Sequence, residues 1–216
     1  MVEMDPLTTE EQSVFDLEYT ELVTAFTPYR QVQDIFMDRK DYVLNVCQMA
    51  KKQFTETFYG IDASGGFGFT MIRPEHVRRL TTDTGTTHTT WEVAVGTQGW
   101  ANWIGSATTA NKLKKEALIV ILGLIDYVPS PKASAMIAKF ANITFPVWYF
   151  EFAMRYQGAQ GVHVWKLPKP KVIFPDKPIY IQVKYTATGL DELALLGITF
   201  AKADYLQTAT PTVESP

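Results

Sequence analysis

The residues in this sequence whose types could do chemistry are few and scattered. His76, His88 and His163 show no HxH, HxxxH or HExxH spacing, so a metal site would have to be assembled from distant segments. Cys47 is the only cysteine, which excludes an internal disulfide and a Cys-rich zinc module. It falls close to the apolar face of a predicted helix with no base placed beside it, the setting of a core thiol rather than a nucleophile. Ser64, Ser106, Ser130 and Ser134 lack a GxSxG context. Gly60, Gly65, Gly66 and Gly68 lack both the closing Lys-Ser/Thr of a phosphate loop and the GxGxxG spacing, and read as a loop leading into a strand. Glu151 with Asp176 or Asp191 has the residue types of a glycosidase pair. Within Phe150-Glu151-Phe152, however, the carboxylate is expected to point outward while its aromatic neighbours pack. No enzymatic activity, cofactor or metal is expected.

The aromatic residues say more. Trp91, Trp100, Trp103, Trp148 and Trp165 are numerous for this length, and Gly99-Trp100-Ala101-Asn102-Trp103 reads as a loop exposing two rings. Exposed rings of this kind stack on sugars in carbohydrate-binding sandwiches, or anchor subunit interfaces, where Trp and Tyr are enriched. His88 lies in a run of seven threonines over 81–90 and reads as a surface or hydrogen-bonded histidine. Asn142-Ile143-Thr144 matches a glycosylation sequon at a strand start; without an export signal it is read as coincidence.

Composition narrows the class further. The 216 residues are 46% hydrophobic and 20% charged, which excludes disorder, collagen and coiled coil as overall descriptions. The longest apolar run, 117–125, is about half of the roughly 18–20 residues that a membrane-spanning helix needs, and is rich in Ile, Val and Leu. It reads as a buried strand. The amino terminus lacks the basic start and apolar core of a signal peptide, so synthesis in the cytoplasm without export is expected. The net charge of −3 argues against non-specific nucleic-acid binding by the whole chain.

The charge is unevenly spread. Before Arg30 there are seven acids and no Lys or Arg, which leaves the remainder with 20 bases against 16 acids. An acidic arm over 1–27, carrying Phe15, Leu17, Tyr19, Leu22, Val23 and Phe26, is expected to dock on its own body or on a neighbouring copy, with the copy preferred, because burying each such side chain is worth roughly 1.5–3 kcal/mol. A helical segment over 28–56 follows. Thr27 is its expected N-cap and Pro28 its first residue; Val32, Phe36, Val43, Val46, Ala50 and Phe54 recur at three- or four-residue steps or multiples of them.

Over 57–206 the pattern becomes extended. Strands are expected at 67–72, 91–95, 117–128, 133–140, 143–154, 161–167, 171–174, 179–186 and 192–203, with Pro-, Gly- and Asn-containing breaks between most of them. A bend, bulge or edge is expected at Pro146. Residues 179–185 alternate, sending Ile179, Ile181, Val183 and Tyr185 one way and Tyr180, Gln182 and Lys184 the other. Such strands without interleaved helices predict a mainly β, antiparallel β-sandwich of jelly-roll type, followed by a tail over 207–216.

The stretch 171–206, KVIFPDKPIYIQVKYTATGLDELALLGITFAKADYL, places a proline-bounded turn before two long final strands. In this it resembles the closing strands of viral jelly-roll coat proteins, over 36 of the 216 residues. The resemblance implies a capsid-shell protein that self-assembles, with the sandwich as tile and the termini as clamps. Its partners would be copies of itself and other shell proteins, and its location the virion. Candidate inter-subunit contacts are Phe15, Leu17, Tyr19, Leu22, Phe26, Trp100 and Trp103. Because the arm carries no base, it is not expected to touch the genome; a shell around a double-stranded genome or an internal membrane fits it better. The alternative is a lectin-like carbohydrate-binding sandwich using its exposed tryptophans.

Overall fold

A computed structural model describes residues 4–60, 65–77, 90–105, 111–141, 143–151, 162–207 and 213–214. Ser64, Ser106, His88 with most of the threonine run, Asn142, Phe152 and most of the expected tail lie outside the described residues.

Two helices come first, α1 (Thr9–Ala25) and α2 (Arg30–Phe54), then β1 (Phe67–Met71) and the short α3 (Pro74–Val77). Next come β2 (Val93–Val95), β3 (Gly99–Ile104), β4 (Asn111–Leu113), β5 (Ala117–Asp126), β6 (Ala133–Phe140), β7 (Ile143–Thr144) and β8 (Trp148–Tyr149). The chain continues through β9 (His163–Ile173), β10 (Pro178–Tyr185), β11 (Gly189–Asp191), β12 (Leu193–Lys202), α4 (Ala203–Gln207) and β13 (Val213–Glu214). The fold is mainly β, and its ladders are antiparallel.

One sheet runs β1-β12-β5-β9 and the other β13-β4-β10-β6-β7, with β3 also on β10 and β8 also on β6; β11 and β2 pair separately. If β3 and β4 share one position and β7 and β8 another, the chain pairs from the outside in. β1 meets β12, β3 and β4 meet β10, β5 meets β9, and β6 meets β7 and β8.

The sheets share one core, in which Ile119, Ile121 and Leu124 of β5 join Met136 and Ala138 of β6 and Ile181 and Val183 of β10. The opposite face of the four-stranded sheet is covered too. Leu118, Val120 and Leu122 of β5 and Ile198 and Phe200 of β12 pack with Phe15 and Tyr19 of α1 and Phe36, Val43 and Val46 of α2. This double coverage is why all ten residues of β5 are buried.

The arm, for which the sequence favours an adjacent copy, folds back on its own sheet and buries Phe15, Tyr19 and Val23 there. Phe15, Tyr19 and Val23 recur every four residues, making a single helical stripe that fits the nearest apolar surface. Thr8 and Glu11 form a capping box, and Glu11 also accepts hydrogen bonds from Phe58 N (2.9 Å) and Lys51 Nζ (2.7 Å). Burial opposes the Glu11 charge, but the bonds from Lys51, Thr8 and Phe58 outweigh it and hold the carboxyl below its ordinary range. One side chain thus ties the start of α1 to the last turn of α2.

Other expectations shift as well. Helix α2 begins at Arg30 with Tyr29 as its cap, and Thr27-Pro28 belongs to the preceding turn. Of the strand expected over 143–154, residues 152–154 lie outside the described residues, and the rest holds two short pieces broken at Phe145-Pro146-Val147, with the interruption where the missing N–H of Pro146 requires one. Conversely, the strands expected over 161–167 and 171–174 are one, β9. Between Lys166, opposite Gly123, and Lys171, opposite Ile121, residues 167–170 bulge out. An edge strand tolerates Pro168 and Pro170 there because its outer N–H groups pair with nothing.

Candidate functional site

The open surface of the seven-stranded sheet is built by alternation. Ile179, Ile181, Val183 and Tyr185 enter the core, while Lys184 is exposed and Gln182 half-buried. Cross-strand register aligns their neighbours on the same outer face. Lys184 lies opposite Trp100 on β3 and Ala135 on β6, and Ala135 lies opposite Tyr149 on β8. Trp100 (41% exposed) and Tyr149 (74% exposed) thus end a row that crosses four strands, about 14 Å long at the usual strand spacing. The next row holds Asn102, Gln182 and Ile137. Asn102 Oδ1 accepts hydrogen bonds from Gln182 Nε2 in its own row and from Tyr180 Oη in the row beyond, both at 3.3 Å, which fixes the amide on this face.

Trp100 and Trp103 do not share an exposed loop, as the sequence suggests; both lie on strand β3. Alternation from Trp100 sends Trp103 into the core, 5% exposed and 5.7 Å from the Trp91 ring, and the register shift after Ile181 turns the next residue, Ile104, inward as well.

The helical layer presents a second surface on the opposite side of the molecule. Phe15 and Tyr19 are buried within the chain, so in this fold they offer nothing to a neighbour. Burial alone raises the Tyr19 hydroxyl far above the ordinary tyrosine value; it donates to Phe36 O at 2.6 Å. Leu17 (62% exposed) and Met37 (63% exposed) face outward. A hollow of 370 Å³ between α1 and α2 is lined by Tyr19, Val23, Gln33, Met37 and Lys40 among others. Leu22 and Phe26, both half-buried, line a second hollow of 280 Å³ with Phe69 and Met71. Lys40 bridges to Asp16 at 2.7 Å, and its hydrogen bond holds the Asp16 carboxyl below the ordinary range.

The two surfaces differ in charge. Exposed Glu10 and Glu21 lie on α1, and exposed Lys139 and Lys184 on the open sheet face. The sequence singles out Trp100 but misses Tyr149, Asn102 and Lys184. The alternation of β10 carried the signal for Lys184, whereas Tyr149 was hidden by the uncertain course of the chain around Pro146.

Two other reactive types, His76 and Cys47, are held in the core. Burial, then the Arg73 charge, pushes His76 down to about 3, so it is neutral, with Nδ1 2.9 Å from Thr199 Oγ1. Burial pushes the Cys47 thiol up, away from a reactive thiolate. Asp176 and Asp191 flank opposite ends of β10, so Glu151 could pair with only one of them. Among the described residues no group of three or more His, Cys, Asp or Glu is placed to hold a metal ion, and no helix is long and apolar enough to cross a membrane.

No family model and no curated protein sequence matches the chain. Solved structures that are faintly similar include two much longer chains. Dimeric latent PorU from Porphyromonas gingivalis is 14% identical over 65% of this chain and 13% of its own, with a TM-score of 0.27. The Podospora anserina GH26-CBM35 β-(1,4)-mannanase is 13% identical over 67% of this chain and 27% of its own, with a TM-score of 0.19. The chain thus spans a small part of either protein, and likeness at this level carries no argument about fold or function.

Proposed function

We propose that this chain is a jelly-roll shell subunit that assembles with copies of itself, and with other shell proteins, into a virus capsid. The outside-in strand pairing supports the jelly-roll reading, since two rolled Greek keys produce that order. Jelly rolls also occur in lectin domains, so the architecture alone does not choose. The observation that carries the choice is that apolar surface is open on two opposed faces. Leu17, Met37 and two hollows lie on the helical layer, and Trp100 and Tyr149 on the open sheet. A single ligand cleft needs one face, whereas a subunit with several neighbours needs different patches on different sides. The opposite charges of these faces suit contact between unlike surfaces of successive copies. In this reading α1 braces the tile instead of reaching out as a clamp, and with its acidic face it does not contact the genome.

Sedimentation velocity and negative-stain microscopy of the full chain, over a concentration and salt series, test the proposal. Closed particles or a defined multi-subunit ring are expected, weakened only in part by salt because apolar contacts are not screened. A strictly monomeric chain at high concentration overturns it.

The second reading, a carbohydrate-binding sandwich, is favoured by the row from Trp100 to Tyr149 with Asn102, Gln182 and Lys184 beside it. A glycan array probes it directly: binding lost in Trp100→Ala, with assembly intact, would favour sugar recognition.

A further inference from the structure

Two carboxyl groups hold the connections at one end of the molecule. Asp126 is the last residue of β5 and Asp191 the last of β11, and both are wholly buried. Asp126 lies in register with Leu193 of β12, two residues beyond Asp191, and with His163 of β9. Oδ1 of Asp126 accepts a hydrogen bond from Val128 N at 3.1 Å, fixing the turn after β5. Oδ1 of Asp191 accepts one from Lys132 N, also at 3.1 Å, tying β11 to the start of β6. The Oδ2 atom of each is buried with no hydrogen-bond partner among the described residues.

Two buried carboxylates near each other, each with an orphaned oxygen, cannot both stay charged cheaply; the neutral acid relieves both the desolvation and the repulsion. We propose that Asp126 and Asp191 form a proton-held latch: the pair keeps a proton while this end of the molecule is closed, and releases it when the 126–132 connection lifts away from β11.

The groups facing the pair act in both directions. The Glu192 carboxylate favours the neutral acid, while Lys132 and the backbone N–H groups of Val128, Lys132 and Ala133 favour the charge. Tyr127 adjoins Asp126 in the chain, and His163 lies opposite it. Lys132 Nζ is itself engaged by the Leu190 and Ser130 carbonyl oxygens, which keeps it from pairing fully with either carboxylate. Burial prevails, followed by the Asp191 charge, and pushes Asp126 up to about 7; burial also raises Asp191. A hollow of 580 Å³ lined by Pro129, Ser130, Pro131, Lys132, His163 and Thr186 adjoins the same connection, giving released carboxylates a short path to water.

The sign follows from linkage. The closed form binds the proton more tightly than the open form, so the latch stabilises fully in acid, below the ordinary Asp range. Its contribution is lost as pH rises to about 7 and changes little above that. Opening should therefore grow by up to about tenfold per pH unit on the way to neutrality, then level off.

Hydrogen exchange followed by mass spectrometry on the full chain, corrected for intrinsic pH dependence, tests this in peptides covering 126–133 and 186–193. Protection there should fall as pH rises to about 7, while the centre of β10 stays unchanged, and Asp126→Asn and Asp191→Asn should each flatten the fall. Infrared titration of the wild-type chain needs no variant and should show a protonated carboxyl band that disappears near neutrality. Flat protection in the wild type, an undiminished fall in both variants, or no protonated carboxyl band overturns the proposal. So does protection restored by added calcium or magnesium chloride in the wild type alone, which would make the pair a cation site. None of these readouts depends on whether the chain assembles.

Discussion

The two sheets of this molecule are made of similar residues and live in different surroundings. In the four-stranded sheet, β5 and β12 are apolar on both faces, because a second sheet covers one side and two helices the other. In the seven-stranded sheet, β10 from Ile181 and β6 from Met136 alternate in exposure, because one face is open there. The two cores differ in kind as well. Between the sheets the filling is mostly aliphatic, whereas under the helices it is a ring cluster: Phe15, Phe58, Phe67, Phe69 and Phe200 meet neighbouring rings at 5.3–6.1 Å. Aromatic side chains bury much area per residue, so few helical residues suffice to fix the cover. The difference teaches where to look for interactions: the covered sheet supplies stability, and the open one is free to bind.

If that division holds, damage to the covered side should be the most severe. Phe15→Ala should cost about 3–5 kcal/mol in urea unfolding, and deleting 1–26 should abolish cooperative unfolding. A truncated chain with the wild-type melting temperature would show that the helices are a detachable cover. Gly197→Ala tests the sheet itself, since a Cβ there would lie 2.0 Å from Val120 O; a loss of about 1–3 kcal/mol or more is expected. Gly96→Ala, with nothing within 4 Å, is its control and should stay within about 0.5 kcal/mol.

Glu11→Gln should cost about 1–3 kcal/mol at neutral pH by removing a buried charge-assisted contact. Because the folded state holds this carboxyl below its ordinary range, the difference from wild type should shrink as pH falls through that depressed value. Unfolding curves at neutral and acidic pH would read the effect directly. On the open face, Trp100→Ala and Tyr149→Ala should each change stability by no more than about 0.5 kcal/mol. Sedimentation and glycan binding are where those two should differ from wild type; a large drop in melting temperature would mean that the outer row is structural.

Much of this was legible in the sequence where one residue's neighbours along the chain determine its surroundings. The alternation of β10, the apolar run of β5, the stripe of α2 and the interruption at Pro146 all follow from local pattern. What failed required knowing the partner. The apolar residues of α1 announce that they will be buried, but not whether the surface belongs to the same chain. Pro168 and Pro170 signal a break unless the strand is known to lie at an edge. The inward turn of Ile104 directly after Trp103 depends on a register shift against β10, more than seventy residues later. Asp126 reads as part of a strand and Asp191 as part of a turn until two distant segments bring them to one place.

The bulge at 167–170 has a bearing on how copies of this chain can meet. Strand β9 borders the four-stranded sheet and would otherwise offer its free backbone groups as a template for another strand. Instead, two prolines withhold their donors, the backbone steps out of line, and the Arg39 guanidinium from α2 donates to Pro168 O. Lys169 and Lys171 add positive charge along the same margin, beside Lys166, whose charge is paired with Asp38 of α2. A second copy arriving in the same orientation finds neither a straight ladder nor a neutral one. Growth by continuous strand addition, the route to fibres, is therefore closed along this border.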